Sequence, residues 1–150
     1  MQSDAHVHLP ALSERQADFF LNLPDSDWRA AFVSHDPAEF ETSSALAKFF
    51  PDCIQGFGIH PQSLREEGRS FLASLVEERR IGFIGEAGFE FFGDRPEWIR
   101  NEENLESQRD FFEFQLAFAI DAGLPLLVHT RKATDVLLGY APRLRRLPSL

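Results

Sequence analysis

Only one cysteine, Cys53, occurs in 150 residues, so no disulfide can form within the chain and a disulfide-stapled scaffold is excluded. As a lone thiol it reads as core filler in a reducing compartment. No apolar run approaches the roughly 18 residues of a membrane span, and the first residues lack the basic-then-apolar pattern of a leader. The expectation is a cytoplasmic protein that makes no membrane contact. Positive charge is also scarce. Against 24 acidic residues there are 15 basic ones, a formal charge of −9, which argues against broad nonspecific attraction to nucleic acid or anionic lipid. An anionic substrate stays open, because bound divalent cations reverse the local field and Arg131, Lys132, Arg143, Arg145 and Arg146 lie close together in sequence. A solvated helix face is the ordinary explanation of that basic cluster. Repeats, low-complexity tracts and Pro/Gly-rich linkers are absent too, so residues 1–150 read as one domain. At 43% hydrophobic and 26% charged residues disorder is excluded and a real core is expected. The sixteen phenylalanines read mainly as core and sheet-facing packing.

Apolar runs alternate with longer helix-patterned stretches, the signature of βα units. Strands are expected near 4–8, 30–34, 54–59, 81–86 and 125–129. Several are continuously apolar, as in Leu126, Leu127 and Val128, which fits a parallel sheet covered on both faces. Capping-box patterns precede two helices: Ser13 with Gln16, and Asp36, Pro37 and Glu39. The clearest helix spans 102–122, with Phe112, Leu116, Ala119 and Ile120 on one stripe, and is stopped by Gly123 and Pro125.

Near the start, DAHVHL places His6 and His8 two residues apart. Alternation along a strand puts both on one face, together with the carboxylate of Asp4. That donor set suits a divalent metal, although two histidines at this spacing also occur on ordinary exposed strands. Other polar residues interrupt the apolar pattern at strand ends: His60 after IQGFGI, Glu86 after IGFIG, His129 after PLLV. Each by itself fits a plainer role, in a turn or helix cap for the histidines and at the surface for Glu86. Together they put a metal-capable side chain at four strand ends, and in a (β/α)8 barrel the carboxyl ends of the strands form the active face.

These segments resemble the TatD family of metal-dependent hydrolases. DAHVHL is similar to the family's opening Asp-x-His-x-His-Leu. GIHP at 58–61 and GEAGFEFF at 85–92 are similar to its Gly-x-His-Pro and Gly-Glu-x-Gly-Leu-Asp-Tyr segments. Gln108, Phe112, Gln115 and Leu116 match its Gln-x-x-x-Phe-x-x-Gln-Leu helix, and LPLLVHTRKA at 124–133 matches the strand ending in His-Ser-Arg-x-Ala. The resemblance implies an α/β fold, a TIM-like (β/α)8 barrel of the metal-dependent hydrolase type, truncated here to about five βα units. It further implies deoxyribonuclease-like hydrolysis of phosphodiesters with two divalent metals, on DNA or a small phosphodiester. Position by position, His6 and His8 would hold the first metal, Glu86 would bridge as the catalytic carboxylate, and His129 would hold the second. His60 and Arg131 would contact substrate, Arg131 by gripping a phosphate. A bridging carboxylate holds two cations about 4 Å apart, where they share and acidify a water. Zinc, manganese, magnesium and iron all accept such ligands.

Two departures stand out. Glu90, Phe91 and Phe92 replace the family's Asp and Tyr, which alters a pocket hydrogen bond while leaving the metal ligands intact. The second is length, since a complete barrel takes about 250 residues. In the family the remainder carries another histidine for the second metal and an aspartate that is ligand and proton acceptor. For these 150 residues the expectation is therefore one metal at most and weak or no hydrolysis. Open edges at the first and fifth strands, each expected to be apolar on both faces, invite pairing with a second copy or a C-terminal half. The alternative function is a half-barrel that binds metal or a partner without turnover. A barrel hydrolase acting on cyclic amides or phosphotriesters ranks below both, because Glu86 stands where such enzymes carry a carboxylated lysine.

Overall fold

A computed structural model describes residues 2–11, 28–50 and 52–149. Five strands, β1 (Gln2–Val7), β2 (Trp28–Ser34), β3 (Ile54–Phe57), β4 (Phe83–Glu90) and β5 (Leu126–Arg131), form one sheet in the order β1-β2-β3-β4-β5. Every neighbouring pair is parallel. Sequential order with parallel pairing winds the sheet in one direction, so it is an open half-barrel. Helices α1 (Pro37–Ala47), α2 (Glu67–Glu77) and α3 (Glu102–Ala122) connect the strands, and two short helices, α4 (Thr134–Leu138) and α5 (Ala141–Leu144), follow β5. Among the described residues no helix is long and apolar enough to cross a membrane.

Local chemistry accounts for the helix ends. Asp36 caps α1 by accepting the Glu39 N–H at 2.9 Å, with Pro37 in the first turn. Asn101 caps α3 by accepting from the Asn104 N–H, and Gly123 ends it at φ 64°, a left-handed conformation that glycine adopts without steric cost. The Ser13–Gln16 pattern lies outside the described residues. Helix α3 packs Phe111, Leu116 and Ala119 inward against β4 and its neighbours. The phenylalanines behave as expected for the most part: Phe32, Phe40, Phe57, Phe83, Phe89 and Phe112 are fully buried. Cys53 is half-buried, and its Sγ accepts the Ala30 N–H.

Two sequence expectations are corrected. β4 does not stop at residue 86 but runs on to Glu90, so Glu86 sits in mid-strand, buried like every other residue of β4. The glycines that punctuate the segment do not break it, because Gly88 lets β4 close on β5 where a side chain would not fit. Gly88 pairs with His129 at φ 157°, and a methyl group there would collide with the His129 carbonyl oxygen. The outer strands also differ from the expected form: β1 exposes Asp4 and His6, and β5 is only partly buried from Leu126 to His129. Neither is apolar and buried on both faces. Substituting Gly88→Ala is expected to destabilise the protein by about 2 kcal/mol or more. A urea midpoint equal to wild type would contradict this packing.

Candidate metal centre

All five histidines of the chain meet at the carboxyl edge of the sheet. Their rings touch in series, His6 to His8 at 4.9 Å, His8 to His35 at 4.8 Å, His35 to His60 at 4.7 Å and His60 to His129 at 4.3 Å between centroids. Glu86, only 7% exposed, faces them all. Its Oε2 lies 2.9 Å from His6 Nε2, 3.2 Å from His35 Nε2, 3.9 Å from His8 Nε2 and 4.0 Å from His60 Nε2. Its Oε1 lies 3.3 Å from His129 Nδ1.

The strands bring these groups together because alternation works as the sequence reading expected at β1: His6 and His8 point the same way and their Nε2 atoms are 2.9 Å apart. Asp4 does not join them. It is exposed and its Oδ1 accepts the His6 N–H at 3.0 Å. Glu39, on the first turn of α1, orients His8 instead: Oε1 meets His8 Nδ1 at 2.9 Å, and Oε2 accepts the His35 backbone N–H at 2.6 Å. A carboxylate on Nδ1 fixes the imidazole tautomer and leaves Nε2 free to ligate. Glu39 therefore does not complete the capping box by reaching back to Asp36.

His129 is held from its other side. Its Nε2 is 3.2 Å from Glu90 Oε2, and Glu90 is fully buried. Glu90 also accepts from Gln62 Nε2 and from the Phe92 N–H. The extra methylene relative to aspartate thus has a definite use, reaching both His129 and the loop after β3. Arg131 is half-exposed, 4.0 Å from Glu90 Oε2 and stacked 4.0 Å over the Phe92 ring. His60, expected to line a substrate pocket, is 8% exposed and faces Glu86 and His129.

Two glutamines of α3, seven residues apart on its buried face, fasten the strand ends. Gln115 accepts the Ile59 N–H at 2.7 Å and donates to the Ile59 carbonyl at 3.1 Å, beside His60. Gln108 does the same at Glu90, at 2.8 and 3.0 Å. Each amide satisfies backbone groups that the short strands leave without sheet partners, which costs 1–3 kcal/mol when undone, by the usual order of magnitude.

Burial pushes the Glu86 carboxyl up, but hydrogen bonds from His129 and His35 outweigh it and hold it well below the usual carboxylate range. Burial and the neighbouring His35 and His129 rings push His60 down to about 3, so it is neutral. The Glu39 hydrogen bond raises His8. Burial alone would lower His129, and Glu86 and Glu90 together raise it. Imidazole nitrogens around an ionised carboxylate form a ligand set for zinc, manganese or iron. Among the described residues three groups of side chains place their ligand atoms within 4.8 Å of one another: His6, His8 and Glu86; His35, His60 and Glu86; His8, His35 and Glu39. The fit to a cation extends to His35, whose buried Nε2 lies 3.2 Å from Glu86 Oε2. His35 was not among the residues singled out from sequence. A histidine between a strand and Asp-Pro reads as a helix-start residue, and only its being one of five histidines, four of them at strand ends, pointed to it.

The TatD related DNase family model matches residues 3–146. The chain belongs to the TatD family. An uncharacterized metal-dependent hydrolase of Haemophilus influenzae is 28% identical over 97% of this chain and 57% of its own length. A 3'-5' ssDNA/RNA exonuclease TatD of Erwinia tasmaniensis is 31% identical over 71% of this chain and 42% of its own length. The crystal structure of the TatD homologue YjjV from Escherichia coli superposes with a TM-score of 0.74 at 23% identity, covering 94% of this chain and 55% of that one. This likeness shows the fold, and the TatD half-barrel here spans about half the length of the relatives it matches.

Two outcomes are expected of the site's framework. Gln115→Leu leaves both Ile59 backbone groups unpaired and is expected to cost about 2–3 kcal/mol, read as a lowered urea midpoint. The second concerns acid. Unfolded His60 takes up a proton near 6.5 but the folded ring does not until about 3, so the unfolded state binds more protons in that window. Stability contributed by neutral His60 is thus complete above about 6.5 and falls as pH drops, by up to about 1.4 kcal/mol per pH unit. In metal-free protein, His60→Gln should flatten the decline of Tm between pH 6.5 and 4. Equal slopes in the two proteins would refute the assignment.

Proposed function

We propose that this chain carries the metal-binding half of a hydrolase that cleaves phosphodiester bonds in nucleic acid. The observation that supports it most is the convergence of His6, His8 and Glu86 on one point at the carboxyl edge of the sheet, with ligand atoms within 4.8 Å. A divalent cation bound there supplies Lewis acidity and lowers the pKa of a coordinated water. Glu86 is the catalytic carboxylate of this reading. Its depressed pKa keeps it anionic at every working pH, so it holds positive charge in the site and accepts a hydrogen bond from an attacking water. His129, tethered between Glu86 and Glu90, is the further ligand on the β5 side.

The names of relatives, ssDNA/RNA exonucleases among them, point the substrate toward single-stranded nucleic acid, and the rim of the site agrees. Phe92 is 43% exposed, with Arg131 at 4.0 Å and Lys132 at 4.5 Å from its ring. An exposed aromatic ring beside cations stacks an unpaired base and pairs with the adjoining phosphate. Arg131 serves as the phosphate contact. The chain's net charge of −9 then confines binding to this rim and the metal centre.

A second reading, a half-barrel that binds metal or a partner without turnover, is favoured by the partly buried outer strand β5 and by the share of its relatives' length that the chain spans. Strand β5 is the edge on which a second copy or a C-terminal half would pair. One comparison separates the readings: cleavage of single-stranded DNA with manganese or magnesium, by the wild-type chain and by Glu86→Gln. The hydrolase reading expects cleavage that the substitution reduces to background. Wild-type protein that retains metal but shows no turnover establishes the second reading, and equal activity in both proteins refutes the role of Glu86.

A further inference from the structure

A cleft of about 420 Å³ opens between the loop after β3 and the first turns of α3, a volume in the range of small-ligand sites. Pro61, Leu64 and Phe111 form its apolar wall, and the rest of its lining is polar. Two of its residues also hold the metal centre. Gln62 donates to the Glu90 carboxylate at 2.9 Å, and Gln108 clamps the Glu90 backbone. Glu90 in turn meets His129 at 3.2 Å. The cleft therefore lies two hydrogen bonds away from a residue of the metal centre.

Bonds already made decide what the cleft offers a ligand. A side-chain amide has a donating end and an accepting end. Gln62 commits its Nε2 to Glu90, which leaves its Oε1 unengaged. Asn104 commits Nδ2 to the carbonyls of Pro96 and Ile99, which leaves its Oδ1. Those carbonyls flank Glu97, so the amide that offers an oxygen to the cleft also fastens the turn that carries Glu97 to the same place. Glu97 lines the cleft, is exposed, and forms no hydrogen bond or ion pair among the described residues. Three acceptors, one of them charged, thus edge an apolar wall, and the Ser107 hydroxyl beside them can donate or accept.

A ligand that suits this lining is flat, has apolar faces and carries neighbouring N–H donors along one edge. Single-stranded nucleic acid is read by such contacts to the Watson–Crick edges of unstacked bases. Guanine alone among the common bases presents two adjacent donors there, N1–H and the 2-amino group. Adenine and cytosine set one donor beside an acceptor, and uracil and thymine set one N–H between two carbonyls. We propose that this cleft is a guanine subsite: Glu97 accepts from the two donors, Gln62 and Asn104 supply further acceptors, and Phe111 with Pro61 and Leu64 packs against the ring. The inference rests on the reading of nucleic acid as the substrate and adds to it the base that is held beside the metal centre.

The test is an NMR titration of the isotope-labelled, metal-free 150-residue chain with guanosine, inosine and adenosine monophosphate. All three share phosphate and sugar, and inosine differs from guanosine only by lacking the 2-amino group, so differences report the base edge. Guanosine monophosphate is expected to bind about 10-fold more tightly than either of the others and to shift the side-chain amide signals of Gln62 and Asn104. Glu97→Ala, at an exposed position, and Ser107→Leu, which fills the cleft, are each expected to bring it down to the level of adenosine monophosphate. Equal affinity for the three nucleotides, a guanine preference that survives both substitutions, shifts confined to residues outside the cleft, or no binding at millimolar concentration overturns the subsite. Cleavage at the metal centre is read separately by the Glu86→Gln comparison. A chain with the guanine preference but no metal-dependent cleavage keeps the subsite and loses only the hydrolase reading.

Discussion

A carboxylate in the middle of a buried strand must be compensated, since an isolated charge in low dielectric is among the most costly things a fold can contain. Glu86 is compensated by an arc of five histidine rings, and that requirement organises the whole carboxyl edge. The rings must arrive from β1, from the ends of β2 and β3, and from β5, so the strands must run parallel and in sequential order. The imidazoles must also be oriented, which falls to two further carboxylates, Glu39 on His8 and Glu90 on His129. Three acidic side chains thus hold the cluster together, and the charge they concentrate is complementary to cations.

Rigidity comes from outside the sheet. Gln108 and Gln115 present amides from one face of α3 to the backbone of Glu90 and Ile59, tying the position of His60 and of the His129 partner to a helix with a well-buried face. Close approach is secured by an absent side chain at Gly88, which lets β4 and β5 pair beside His129. A site placed on strands and clamped from a helix keeps its geometry better than one on loops, which suits a function that depends on ligand spacing.

Membership of the TatD family accounts for the motif order, and the differences from the family pattern have physical consequences here. Glu90 is long enough to bridge His129 and Gln62. Phe91 lacks the family's hydroxyl, and Phe92 beside it presents an exposed ring to Arg131 and Lys132.

Much of the architecture was legible in sequence, because it follows from local rules. Alternating apolar runs announced parallel strands and α3, Asp36 and Gly123 announced helix ends, and the two-residue spacing of His6 and His8 placed them on one face. Motif order identified Glu86, His129 and the two glutamines, though not what the glutamines do. What local rules cannot contain is which distant side chains share a point in space. His35 carried no motif that singled it out and Asp4 stood on the face of His6 and His8; the folded sheet brings His35 to Glu86 and leaves Asp4 exposed. Glu86 looked like a strand end because glycines surround it, but a glycine that lets two backbones touch extends a strand as readily as it breaks one. Periodicity and capping act over a few residues and are written in the chain itself, whereas the meeting of residues 6, 35, 60, 86 and 129 is decided only when five strands settle into a common register.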